Sequence, residues 1–154
     1  MKQKLNCVLL IDDDEPTNFM STMLLEEKNC AKQIKVAESG QMALNYLTNS
    51  EKVPPDTETF PCPDIIFLDI NMPAMDGWEF LDNYRKLEKR QHGKVIIIML
   101  TTSLNPDDKI RAQRIPEISG FENKPLTPEM IDRVLNKFFI TEGSEAVAVA
   151  ATAY

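Results

Sequence analysis

Residues 63–77 read PDIIFLDINMPAMDG. The four residues Ile65–Leu68 are apolar without interruption and end at Asp69. Such a run suits a strand covered on both faces, which is the habit of central parallel strands. Asp76, with Glu79 three residues on, forms an aspartate version of the capping box and opens a helix over WEFLDNYRKLEKR, residues 78–90. A buried strand, a polar turn and a capped helix make one βα unit.

The same alternation occurs five times. Strands are predicted at Cys7–Ile11, Gln33–Ala37, Ile65–Leu68, Val95–Leu100 and Gly120–Asn123. Asp14-Glu15-Pro16 opens a helix after the first strand, and Ser39 caps GQMALNYL after the second. Asn105-Pro106-Asp107-Asp108 starts a short fourth helix that Pro116 limits. Thr127-Pro128-Glu129 starts the fifth, where Met130, Ile131, Val134, Leu135 and Phe138 recur at helical spacing. Five units predict an α/β fold, an open parallel sheet wound with helices on both sides. An eight-unit barrel would need about 250 residues.

Composition narrows the function classes. Seventeen basic and twenty-four acidic residues leave a net charge of -7, which argues against direct nucleic-acid binding. No run of about 18 apolar residues is present, so a membrane span is not expected. The N-terminus lacks the pattern of a signal peptide, and a cytoplasmic location is the expectation. Cys7, Cys30 and Cys62 are widely spaced with no CxxC pair, so free thiols are expected rather than a zinc site. Residues 5–140 read as one domain. The stretch 141–154, TEGSEAVAVAATAY, reads as a flexible tail. Asn49–Pro63, rich in proline and mixed charge, reads as a disordered excursion longer than the usual connection.

In an open sheet of this kind ligands sit outside the carboxyl ends of the strands, where the strand order reverses. Asp12 and Asp13 follow the first strand, Asp69 the third, Thr101 the fourth, and Lys124 the fifth. Carboxylates about 4 Å apart repel by roughly 4 kcal/mol at an effective dielectric near 20. Three of them call for a cation, and an all-oxygen donor set favours Mg²⁺. Lys124 and the Thr101 hydroxyl suit phosphate oxygens, and an aspartate can form an acyl phosphate. Together these groups predict a site for phosphoryl transfer that works by positioning and charge.

The segments LLIDDDE, PDIIFLDINMPAMDGWEFL, VIIIMLTTS and GFENKPL resemble the receiver domain of two-component response regulators, in that family's order and over about residues 5–140. The resemblance implies a flavodoxin-like (βα)5 sheet of order 2-1-3-4-5. It implies that Asp69 is the phosphoacceptor and that Asp12, Asp13, Asp69 and the Asn71 backbone carbonyl hold Mg²⁺, Asp13 being the more direct ligand. It further implies that Thr101 and Lys124 contact the phosphoryl oxygens, that Phe121 is a switch aromatic moving with Thr101, and that Lys124-Pro125 is cis. Asp76-Gly77 matches the turn that shapes the loop after the third strand. The implied partners are a histidine kinase or histidine phosphotransfer protein as donor, and a downstream protein target. A homodimer through the helix 4–strand 5–helix 5 face is a further option. The implied activity is limited to the protein's own phosphorylation and dephosphorylation.

Three features depart from the pattern. Thr102 stands where the family most often has alanine or another small residue, which predicts a long-lived phosphoryl group. The Asn49–Pro63 stretch is an insertion, read as a disordered excursion with contact to a kinase or partner as the alternative. The fourth helix is short. His92, the single histidine, reads as a loop residue, and Trp78 and Phe80 read as helix packing. An alternative is a phosphatase of the haloacid-dehalogenase type, but that family places its nucleophile after the first strand in a DxD pattern, where DINMPAMDG has no place. A phosphate-independent scaffold would not need the full set of site residues.

Overall fold

The computed structural model describes residues 4–54, 58–87, 94–142 and 145–148. Strands β1 (Leu5–Ile11), β2 (Ala31–Ala37), β3 (Ile65–Leu68), β4 (Ile96–Thr101) and β5 (Ile118–Asn123) form one parallel sheet in the order β2-β1-β3-β4-β5. Each is followed by a helix: α1 (Glu15–Lys28), α2 (Gly40–Glu51), α3 (Gly77–Tyr84), α4 (Pro106–Gln113) and α5 (Pro128–Phe138). The expected doubly wound (βα)5 architecture is the one observed.

The uninterrupted apolar strands have a simple cause. Ile65 and Phe67 pack with Leu25 of α1 and with Ile131, Val134 and Phe138 of α5. Ile66 and Leu68 face the other way, against residues of α2, α3 and α4. Side chains alternate across a strand, so a central strand clad on both faces is apolar at every position, whereas edge strand β2 carries Lys32, Gln33 and Lys35. The caps fall where the residue types place them. Asp14, Ser39, Asp76, Asn105 and Thr127 each accept from a backbone N–H in the first turn of their helix, and Asp76 with Glu79 completes the capping box.

Four expectations are corrected. Strands β1, β2 and β5 each start two residues earlier than predicted and β4 runs one residue later at both ends, because β1 and β2 already pair at Leu5↔Ala31 and β5 pairs back to Ile97↔Ile118 before a bulge. Helix α3 ends at Tyr84, after which the bonds from Lys86 to Asn83 and from Leu87 to Tyr84 tighten to the i→i−3 pattern. The rest of that predicted helix, and His92, lie outside the described residues. The Asn49–Pro63 stretch is not a free excursion in its described parts. Asn49–Glu51 belong to α2, Ser50 donates to the Phe60 carbonyl at 2.9 Å, and the Tyr46 hydroxyl donates to the Pro61 carbonyl at 2.6 Å. Phe60 packs edge-on to Tyr46, and Cys62 is buried. Finally, β6 (Phe139–Glu142) pairs antiparallel with β7 (Glu145–Ala148), so part of the stretch read as a flexible tail forms a ribbon.

Cys7, Cys30 and Cys62 are free thiols, and burial pushes Cys7 and Cys62 up to about 12, which keeps them neutral and unreactive. Among the described residues no helix is long and apolar enough to cross a membrane.

Candidate functional site

The sheet register builds the site. Ile11 lies opposite Leu68, so Asp12 and Asp69 leave adjacent strands side by side, and the Asp69 N–H donates to the Ile11 carbonyl at 2.9 Å. Strand order reverses at this point, since β1 has β2 on one side and β3 on the other. Ligand oxygens of Asp12, Asp13 and Asp69 lie within 4.8 Å of one another. Asp12 and Asp69 are buried, whereas Asp13 is exposed.

From the other flank, the Lys124 N–H donates to the Thr101 carbonyl at 2.8 Å as β5 leaves the sheet, and the following Lys124-Pro125 bond is cis. The Lys124 ammonium bonds an Asp12 carboxylate oxygen and stands 3.4 Å from Asp69 Oδ1. Burial, and then the charge of Asp12, push the Asp69 carboxyl up to about 6 against the pull of Lys124. Burial would lower Lys124, but its hydrogen bond to Asp12 and the charges of Asp69 and Asp12 outweigh that and raise it above an ordinary lysine. The site is therefore an anionic cluster only partly balanced by one ammonium. An all-oxygen donor set with excess negative charge fits a hard divalent cation. Asp12 already gives Oδ1 to the Asp14 N–H at 2.9 Å and Oδ2 to Lys124, which leaves exposed Asp13 the more open of the pair.

A family model for the response regulator receiver domain matches residues 8–136. The chain belongs to that family. Hybrid signal transduction histidine kinase D of Dictyostelium discoideum is 35% identical over 118 residues, covering 75% of this chain but 7% of that protein. A probable cyclic di-GMP phosphodiesterase of Vibrio cholerae is 33% identical over 111 residues, covering 71% of this chain and 21% of that protein. The chain thus spans a small part of the length of these curated relatives. Among solved structures, a two-component response regulator from Cytophaga hutchinsonii superposes with a TM-score of 0.77 at 32% identity, covering 88% of this chain and 97% of that one. Chemotaxis protein CheY4 of Vibrio cholerae superposes at 0.65 with 27% identity, covering 86% and 97%.

In this receiver domain the other residues expected at the site lie on β4, on β5 and in the loop leaving β3. Asn71 is exposed, two residues beyond Asp69 in the loop leaving β3. Thr101 is fully buried, and its Oγ1 accepts from the Ser103 N–H at 3.1 Å. The Ser103 hydroxyl in turn bonds the Asp108 carboxylate in the first turn of α4. Phe121 is half-buried opposite Met99, on the face covered by α2, α3 and α4. Trp78 is buried beneath the Arg111 guanidinium of α4, 4.4 Å from its ring centre.

Two residues that position the cluster were not singled out from the sequence. Asn18, a buried polar residue of α1, donates its amide to the Asp12 carbonyl at 2.8 Å. Its signal was an asparagine on a helix whose core face is otherwise small or apolar. Ser103 stands two residues past Thr101, and its bonds to Thr101 and to Asp108 of α4 exist only in the folded chain.

Gly77 is needed for a reason other than the turn. A Cβ there would sit 2.5 Å from the Asp69 carbonyl oxygen and 3.0 Å from Ile70 Cα, both backbone atoms that can yield only by moving the loop. Gly77→Ala should therefore displace Asp69, lowering stability by about 1–3 kcal/mol and slowing phosphoryl uptake at least tenfold, to about 100-fold for a 1 Å shift. Urea unfolding and a labelling time course would check both effects.

Proposed function

We propose that this receiver domain accepts a phosphoryl group on Asp69 from the phosphohistidine of a histidine kinase or histidine phosphotransfer protein, and signals through phosphorylation-dependent contact with another protein. The observation that carries the reading is the convergence of Asp69 with Asp12, Asp13 and Lys124 where the strand order reverses.

An Asp69 carboxylate oxygen attacks the phosphorus as the bond to the donor's imidazole nitrogen breaks, and the imidazole leaves with that electron pair. Lys124 and the Thr101 hydroxyl are the donors toward the transferred phosphoryl oxygens. Asp12, Asp13, Asp69 and the Asn71 carbonyl are the groups that would hold Mg²⁺, which supplies positive charge against the phosphoryl oxygens. Hydrolysis of the acyl phosphate restores Asp69, so the only chemistry is the protein's own labelling and its reversal.

The readout starts at Thr101. Phosphorylation brings about -1.5 to -2 charge and new acceptor oxygens. They draw the Thr101 hydroxyl, loosen its contact with Ser103 and hence α4, and let Phe121 turn inward. The face of α4, β5 and α5 is the surface we assign to the downstream protein, whether a separate chain or a second copy of this one.

The test is incubation with Mg²⁺ and acetyl phosphate followed by intact mass. One added phosphoryl, absent with a chelator present, supports the reading. Catalytic turnover of simple phosphate esters without stoichiometric labelling would replace it with a phosphatase. The lifetime of the label adds a second check. Thr102 is exposed beside the site and bulkier than alanine, so Thr102→Ala should lose its phosphoryl several-fold faster than the wild type after donor removal. A slower loss in the variant would refute that shielding role.

A further inference from the structure

The core-facing positions of α1 are Asn18, Ser21 and Leu25. Asparagine is a poor helix former, and a buried amide is costly unless bonded. The Asn18 amide bonds outside its own helix. Its Nδ2 reaches back to the Asp12 carbonyl at 2.8 Å, just beyond the last residue of β1.

That bond completes a four-point hold on Asp12. The Asp12 N–H donates to the Ala37 carbonyl at 3.1 Å, and its carbonyl accepts from Asn18. Its Oδ1 accepts from the Asp14 N–H, and its Oδ2 accepts from Lys124. Three of these anchors are common devices, namely an extension of the sheet, a local turn and the site lysine. The Asn18 contact is the only one of the four made by a side chain outside the carboxylate–lysine cluster. It ties α1, and with it the direction in which Asp13 leaves the chain, to the end of β1.

We propose that Asn18 is a positioning residue for the cation site, holding the Asp12-Asp13 peptide so that both carboxylates converge with Asp69. This rests on the Mg²⁺-dependent reading given above. Groups that orient metal-binding side chains without touching the metal commonly change affinity by about 10–100-fold when removed.

The experiment is calorimetric titration of the full chain with Mg²⁺, comparing wild type, Asn18→Leu and Asn18→Ala, with Leu25→Val as a control that loosens α1 without touching Asp12. Both Asn18 variants should bind Mg²⁺ about tenfold more weakly, while the control keeps the wild-type Kd. Labelling by acetyl phosphate should be slow in the Asn18 variants at low Mg²⁺ and reach the wild-type rate at saturating Mg²⁺. A purely structural asparagine would lower the melting temperature and leave the Kd alone, and that result overturns the proposal. Loss of fold in both Asn18 variants would also overturn it, by assigning the residue to the core. A wild type that neither binds Mg²⁺ nor takes up phosphate would instead overturn the functional reading itself.

Discussion

Asp69→Asn should take up no phosphoryl group from acetyl phosphate under conditions expected to label the wild type once, and the cation-free variant should be more stable than the wild type at pH 7. The first effect follows from losing the nucleophile, since an amide oxygen does not form the acyl phosphate. The second follows from the strain of keeping Asp69 ionised. Its carboxyl is pushed up from 3.8 to about 6 in the fold, chiefly by burial and then by Asp12. Between those values the native state binds more protons than the unfolded chain, so wild-type stability falls as pH rises from about 4 to 6 and then levels off. The variant lacks that slope and should gain about 2–3 kcal/mol at neutral pH. Added Mg²⁺ should reverse the ranking, because it stabilises the wild type by mass action and finds a weaker site in the variant. Thermal unfolding from pH 4 to 8, with chelator and with Mg²⁺, gives the slopes directly. A wild type whose stability rises across pH 4–6, relative to Asp69→Asn, would contradict the assigned electrostatics.

Lys124→Met separates two duties of one ammonium. Methionine keeps the unbranched apolar stem of the side chain, one atom shorter, but leaves Asp12 and Asp69 facing each other without their shared cation. Removing one partner of a largely buried ion pair costs about 3–5 kcal/mol, and the partial access of water to this crevice argues for the lower end. Urea unfolding with chelator present measures that loss. The phosphoryl oxygens also lose a charged donor, so labelling should slow by about 100-fold to 1,000-fold. Mg²⁺ affinity should move the other way, since the cluster becomes more negative once its competing cation is gone. Tighter metal binding with slower chemistry is a pairing that general misfolding does not produce. A labelling rate unchanged from wild type would remove Lys124 from the reaction.

Much of the site was legible because its residues follow directly on strands. Asp12, Asp69, Thr101 and Lys124 each stand at the carboxyl end of a strand, and a parallel sheet brings all such ends to one edge. The helix caps were legible for a similar reason, as each depends on residues within one turn. The insertion was misread because its anchors are Tyr46 and Ser50, which meet Phe60 and Pro61 only after the chain folds back on α2. The end of α3 was misread because its tightening after Tyr84 leaves no mark in the hydrophobic pattern.

The alternation of apolar runs with capped helices was enough to dictate five strands in one parallel sheet, and the unbroken apolar runs of β3 and β4 marked the central strands that are buried on both faces. The residue types at the strand ends were enough to dictate the chemistry available there. Folding decided how much charge each group feels. Asp12 and Asp69 are buried together, Asp13 stays in water, and Lys124 is shared between two carboxylates. It also decided which residues hold the site in place. Asn18 reaches the Asp12 carbonyl, and Gly77 lets the Asp69 loop lie against α3. Charge balance and close approach depend on distances of a few ångströms between segments far apart in the chain, and those distances exist only once the sheet register is set.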